Sequence, residues 1–295
     1  MSYIIYPLFL IFILVSATLC IVFNLDLDIG FACITSTISV FAILLEKIFV
    51  YRKDWYVSKH DTYVDVLYIL SDTFINNITR SLMFVFIAYI ASLDLPKLSV
   101  LSEIPFIFAI STGVLIGEFF PYLYHRYCHK GNQNSKVSMF FWRVHSIHHI
   151  PQKVYWLNNF RLHPIDVCFN TLGTLFPIML LGANQEVLFC VGLLSTMHGF
   201  LGHANINIKL GFLNYILLGP DLHRYHHSKI TSEALNFGTT FTLFDILFRT
   251  FYYPKNKEVS SVGVMEPLSY PMENKFNKQI LFPFFFEKYV AKRSF

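Results

Sequence analysis

The sequence predicts an all-α protein: a polytopic bundle of about four membrane-spanning helices plus a re-entrant hairpin, carrying a helical, histidine-rich cap on its cytosolic face. Three observations lead there. Of 295 residues, 54% are hydrophobic and only 14% charged, with a mean hydropathy of +0.48, a composition unlike that of ordinary soluble domains. Three windows, Met1 to Leu25, Ile29 to Leu45 and Val167 to Gln185, contain no Asp, Glu, Lys or Arg, and each approaches the ~20 residues that cross a bilayer as a helix. Eleven of the twelve histidines fall between His125 and His227.

The first helix is expected over about Tyr3 to Phe23 and the second over about Ile29 to Val50, joined by an acidic turn holding Asp26 and Asp28. The opening apolar run lacks the basic flank and small-residue cleavage site of a removed leader, so it reads as a retained helix. Lys47, Arg52, Lys53 and Lys59 follow the second helix, and the positive-inside tendency puts them on the cytoplasmic side. A third apolar stretch, Ser81 to Leu93, is short for a span. Asp94-Leu95-Pro96-Lys97 separates it from a fourth, Ile104 to Tyr124, which returns the chain to the cytoplasmic side at His125. Thr171 to Leu181 and Val187 to Met197 flank Gly182-Ala183-Asn184-Gln185; each half is too short to cross alone, so a re-entrant or shallow hairpin is expected. Beyond His203 the chain is more polar and carries Pro220, Pro254, Pro267, Pro271 and Pro283, as a cap would. Three regions result: a helical stem over 1–124, a catalytic region over 125–253 with its hairpin at about 167–200, and a cytosolic tail over 254–295.

The net charge of +4 and pI of about 8.7 come from basic residues scattered over loops. No basic stripe interleaved with aromatics exists, which excludes a nucleic-acid partner and leaves anionic lipid headgroups. The five cysteines form no CxxC pair, so no disulfide framework is inferred.

The histidines carry the chemistry. They fall into His125-Arg126-Tyr127-Cys128-His129, His145-Ser146-Ile147-His148-His149 and His223-Arg224-Tyr225-His226-His227, with His163, His198 and His203 between. On a helix, residues three and four apart share a face, so H-x3-H presents two imidazoles together and H-x2-H-H presents three. Imidazole suits iron, copper, nickel and zinc, whereas magnesium and calcium prefer oxygen. A cage of this size exceeds one tetrahedral ion and calls for two. Glu118 stands seven residues before His125, two turns back on one helix face, where its carboxylate would accept the far N–H of a ligating imidazole. Asn205, Asp221 and Asn236 are further candidates for such support, with an ordinary cap or turn role as the alternative.

These blocks resemble the fatty acid hydroxylase and sterol desaturase superfamily of membrane di-iron enzymes. The resemblance runs from about Glu118 to Tyr253. It rests on Glu118-Phe119-Phe120 leading to His125 and His129, Trp142-Arg143-Val144 before His145, Arg161-Leu162-His163-Pro164, His203-Ala204-Asn205, the His223 motif, Asn236-Phe237-Gly238, and Phe244-Asp245 with Phe248. It implies that His125, His129, His145, His148, His149, His203, His223, His226 and His227 bind two iron ions, with His163 and His198 as extra or supporting ligands. It also implies O2 as co-substrate and oxidation, most simply C–H hydroxylation, of a fatty acyl, alkyl or sterol group drawn from the bilayer. Zinc could replace iron during purification, because imidazole sites bind it more tightly than iron(II).

No G-x-G-x-x-G fingerprint or haem-binding module is present, so electrons must come from an external donor of cytochrome b5, ferredoxin or reductase type. The catalytic face is expected in the cytoplasm, at the endoplasmic reticulum of a eukaryote or the inner membrane of a bacterium. Acyl desaturases and alkane hydroxylases form the second reading. A hydrolytic zinc enzyme would show H-E-x-x-H, which is absent. A metal transporter or other non-oxidative metal-binding protein would spread its histidines along the spans, whereas these follow the apolar stretches.

Overall fold

Helix accounts for the regular structure, with no strand among the described residues, which in this computed structural model are 2–93, 98–255 and 257–285. The first two helices, α1 (Ile5–Val22) and α2 (Leu27–Ile48), form the expected hairpin. Asn24 takes a left-handed φ of 48° in the turn, and the Asp26 carboxylate caps α2 by accepting the Ile29 N–H at 2.9 Å.

The third helix departs from expectation. α3 (Lys59–Ser92) runs 34 residues, about 51 Å at 1.5 Å per residue, longer than a ~30 Å hydrocarbon layer requires. Asp61, Asp65 and Asp72 interrupt its apolar run and hid its first half, yet all three are buried on one face. Two of them, Asp61 and Asp65, meet partners from elsewhere in the chain. Lys153 Nζ lies 2.6 Å from Asp61, and the fully buried Arg161 donates from Nε to Asp65 at 2.5 Å. Arg161 also donates to the Tyr155 hydroxyl at 3.0 Å and the Glu273 carbonyl at 3.2 Å, pinning the 3-10 turn Trp156–Phe160 to α3.

The turn expected at 94–97 lies outside the described residues. After it, α4 (Val100–Glu103) precedes α5 (Phe106–Cys128). Four helices, α1, α2, α3 and α5, are long and apolar enough to cross a membrane, so the protein is multi-pass.

Next, α6 (Lys136–His149) leads to the hairpin of α7 (Pro164–Leu180) and α8 (Gln185–His203). The two helices follow one another as the expected hairpin, each packing against α5. Its tip touches α4, where the Leu101 N–H donates to the Leu181 carbonyl at 2.9 Å. Both helices outrun the apolar stretches because their polar ends, from Asp166 and to His203, are buried in protein rather than lipid.

The cap is completed by α9 (Pro220–His226), α10 (Leu243–Leu247) and α11 (Phe276–Leu281). In the described part of the tail, Gln279 of α11 accepts the Tyr68 hydroxyl of α3 at 2.7 Å. The N-terminus and the α2–α3 loop lie on the cap side: Ser2 O accepts the Lys209 N–H at 3.1 Å, and the Tyr51 N–H reaches Asn205 O at 3.0 Å. The four crossings thus bring every histidine motif to one face of the bundle.

Candidate metal centre

Four helix ends converge at that face. α5 delivers His125 and, at its C-cap, His129; α6 ends on His145, His148 and His149; α8 ends on His203; α9 carries His223 and His226, with His227 as its C-cap. The nine imidazoles divide into two groups. His125, His129, His145, His149 and His226 form one, and His148, His203, His223 and His227 the other, with the ligand atoms of each group within 4.8 Å of one another.

Helical geometry explains the division. Residues four apart diverge by about 40° around a helix, and the residue three along lies about 60° to the other side. In α6 the pair His145 and His149 therefore faces the first group while His148 faces the second. In α9 the assignment reverses: His223 and His227 face the second group and His226 the first. Each H-x2-H-H motif is thus shared between two positions.

The hydrogen bonding fits metal ions at both positions. His125 donates from Nδ1 to the Phe237 carbonyl at 2.8 Å, His226 from Nδ1 to the Leu235 carbonyl at 3.1 Å, and His203 from Nδ1 to the Gly199 carbonyl at 2.8 Å. Each bond fixes the tautomer that leaves a bare lone pair on Nε2. In the first group, Nε2 of His125, His129 and His226 is buried without a partner. In the second, Nε2 of His148, His223 and His227 lies 2.9, 3.0 and 3.2 Å from Nε2 of His203. Three imidazoles crowding one lone pair are poorly served by hydrogen bonds among themselves and well served by a cation between them. With no oxygen donor in either group, a transition metal is the matching ion.

Burial, and after it the charge of neighbouring imidazoles, holds His148, His149, His223, His226 and His227 well below the usual histidine range. Burial likewise pushes His203 down to about 4. All are neutral near pH 7, the form that ligates metal.

The supporting contacts differ from those expected. Glu118 does not accept an imidazole N–H. Its carboxylate instead receives the backbone N–H groups of Thr239 at 2.5 Å, Thr240 at 2.8 Å and Phe241 at 3.0 Å. It thereby anchors the loop whose Phe237 carbonyl orients His125. Asn236 sits in that loop at a left-handed φ of 62°, between the two carbonyls that receive His226 and His125. Its side chain grips Tyr252 through N–H and carbonyl at 2.8 and 2.9 Å.

The remaining candidates stand away from the imidazole groups. Asn205 clamps the α2–α3 loop, bonding the Arg52 N–H and carbonyl, both at 2.9 Å. Asp221 accepts from Asn214 at 2.7 Å. His163 is the N-cap of α7, accepting the Ile165 N–H at 3.1 Å and donating to the Ile280 carbonyl at 3.1 Å. His198 bonds Tyr6 and the Leu194 carbonyl. Neither of these two histidines joins a group.

Three supporting carboxylates escaped the sequence reading. Asp166 on α7 lies 3.4 Å from His145 Nδ1, longer than a hydrogen bond, and is held by the Tyr124 hydroxyl at 2.5 Å. Asp245 accepts the N–H groups of Phe237 and Gly238 at 2.8 and 2.9 Å and the Thr250 hydroxyl at 2.6 Å. Glu46, the first charge after the apolar run of α2, accepts the N–H groups of Trp156 and Asn205, both at 2.8 Å. Glu46 left a signal as an acid at the end of a span, and Asp245 stood in the Phe244-Asp245 block of the resemblance without a role assigned to it.

Helical bundle, cap and paired imidazole groups together define the class. The family model for fatty acid hydroxylases matches residues 110–250, which include all nine grouped histidines, so this region of the chain is similar to the fatty acid hydroxylase family. An ornithine lipid hydroxylase of Rhizobium tropici is 29% identical over 260 residues, covering 83% of this chain and 76% of that protein. A very-long-chain aldehyde decarbonylase of rice, Oryza sativa subsp. indica, is 26% identical over 170 residues, 57% of this chain and 59% of its own length. A methylsterol monooxygenase of Arabidopsis thaliana is 26% identical over 138 residues, 46% of this chain and 49% of its own. No solved structure shows a significant match.

Proposed function

We propose that this protein is an oxygen-dependent lipid hydroxylase holding one iron ion in each imidazole group. The observation that carries the reading is the convergence of His148, His223 and His227 on the bare Nε2 of His203, beside a second group with three orphaned Nε2 atoms. His125, His129, His145, His149 and His226 would hold one ion, and His148, His203, His223 and His227 the other. When bound, the metals supply O2 activation and the oxidising power that side chains lack.

The chain's own residues position and insulate. The carbonyls of Phe237, Leu235 and Gly199 fix three imidazole tautomers, Glu118 and Asp245 hold the loop supplying two of them, and Asp166 steers His145. The relatives named as lipid and sterol oxygenases support a membrane lipid as substrate. An external donor of cytochrome b5, ferredoxin or reductase type supplies the electrons. The basic α2–α3 loop shares the side of the histidines, which supports a cytoplasmic catalytic face, at the endoplasmic reticulum or a bacterial inner membrane. In this reading 1–124 is the stem, 125–253 the catalytic region and 254–295 the tail.

The test is the metal content of protein expressed and purified anaerobically with iron. About two ions per chain, falling on substitution within either group, is expected for four- and five-imidazole sites. Less than about one in the intact protein would sink the two-ion reading.

A further inference from the structure

An apolar slot of ≈ 210 Å³ lies between α1 and α5, both of which pack on α8. Its walls are Ile13, Leu14 and Ala17 of α1, Ile107, Ile110 and Val114 of α5, and Cys190 and Leu194 of α8. Its cap-side end is polar: Tyr6 and His198 meet there in a hydrogen bond, next to Thr240 and Phe241. Because His198 donates from Nδ1 to the Leu194 carbonyl, its Nε2 accepts from the Tyr6 hydroxyl.

Helix rise gives the slot its shape. From His198 to Cys190 is eight residues, and from Tyr6 to Ala17 eleven, so it extends about 12 to 16 Å along the bundle. The polar end is five residues along α8 from His203, about 7.5 Å of axial rise. That same end is walled by Thr240 and Phe241, whose N–H groups Glu118 holds. The slot therefore begins beside the imidazole groups and runs away from them into the span. Leu14 and Ile107, at 46% and 61% exposed, flank it on the outer surface of two spans, whereas Ile13 at 1% and Ile110 at 9% are hidden within. An elongated apolar cavity open toward acyl chains and polar only at its inner end suits one occupant.

We infer that this slot binds a single acyl chain of the lipid substrate, admitted sideways between α1 and α5. The chain's tail lies toward Ala17, and its polar end meets Tyr6 and His198. This inference rests on the lipid-oxidising reading but is separable from it. A chain so placed presents its head-proximal carbons toward the metal centre, and the far wall limits its length.

The test uses the full chain in lipid nanodiscs with a palmitic acid carrying a mid-chain photoactivatable diazirine. Labelled positions are mapped by mass spectrometry. Expected is labelling of Ile13 and Ile110, which lipid at the outer surface does not reach, competed by unlabelled palmitic acid. Leu14→Trp and Ile107→Trp, made separately so that one folded mouth variant suffices, should each cut that labelling several-fold while leaving Leu44 and Leu82 labelled as before. Labelling confined to exposed Leu8 and Ile11, or unchanged at Ile13 in both variants, overturns the inference. His148→Ala should keep the labelling whatever happens to turnover. Slot labelling without any oxidised product would therefore fault the catalytic reading alone, and oxidised product without slot labelling would fault the slot alone.

Discussion

Glu118 Oε1 accepts the Thr240 backbone N–H at 2.8 Å, tying the end of a membrane span to the cap loop that orients His125. This one carboxylate receives three consecutive backbone N–H groups, so Glu118→Gln would replace an acceptor with an amide that can turn a donor toward them. Hydrogen bonds to a charged group contribute about 1.5–3 kcal/mol each, and an unsatisfied buried donor costs about 1–3 kcal/mol. The expected result is a lower melting temperature together with loss of metal from the His125 group before the His203 group. Unchanged melting and unchanged metal content would show that the loop does not depend on Glu118.

Asp166 acts through His145. Asp166→Asn removes the negative charge beside the imidazole while keeping its size, so the expected effect is metal binding weakened roughly 10- to 100-fold, as for other partners of ligating histidines. Competition with a chelator measures it. The fold should persist, because Tyr124 can still donate to the amide oxygen; wild-type chelator resistance would deny Asp166 this role.

The sharing of each H-x2-H-H motif predicts an asymmetry between neighbours. His129→Ala with His226→Ala damages one group only, and about one ion per chain should remain, because the other keeps four ligands. Adding His223→Ala to that pair, a residue of the same motif as His226 that faces the other group, leaves three imidazoles in each group and should leave markedly less. Equal losses from the double and the triple variant would refute the division.

Asp245 sets a dependence on pH. Burial pushes its carboxyl up to about 6 from 3.8, against the lowering effect of its hydrogen bonds to Thr250, Gly238 and Phe237. Between those values the folded protein holds a proton that the unfolded chain releases. This group's contribution to stability therefore rises as pH falls through about 6, and is complete below 3.8. The shift corresponds to roughly 3 kcal/mol. Histidines in the core push the other way, so the difference between wild type and Asp245→Asn isolates the effect. The wild type should gain on the variant when unfolding is measured from pH 7 down to about 5. A constant gap would contradict it.

Most of the stem and the histidine set were legible because both write themselves locally. Charge-free runs announce α1 and α2, an apolar run broken only by Glu118 announces α5, and H-x2-H-H on a helix gathers its own imidazoles. What failed depended on distant partners. The first half of α3 was hidden because Asp61 and Asp65 look solvent-seeking until Lys153 and Arg161 arrive to meet them. Glu118 was assigned to an imidazole because helical phase pointed along its own helix, whereas its partners come from a loop about 120 residues on. The roles of Asp166 and Asp245 follow from the packing of α7 and α10, which no spacing encodes. His163 and His198, by contrast, share the residue type of the ligands but face an N-cap and a tyrosine.

The most direct test of the whole account supplies isotopically labelled O2 to membranes containing the iron-loaded protein and a redox partner, and analyses the extracted lipids. The account predicts a lipid hydroxyl carrying oxygen from O2 in the wild type and none with His148→Ala. An alkene formed only in the presence of O2 would shift the reaction to desaturation. Lipid unchanged by O2 and identical to that of His148→Ala, in protein shown to hold its metals, would contradict an oxygen-dependent lipid hydroxylase.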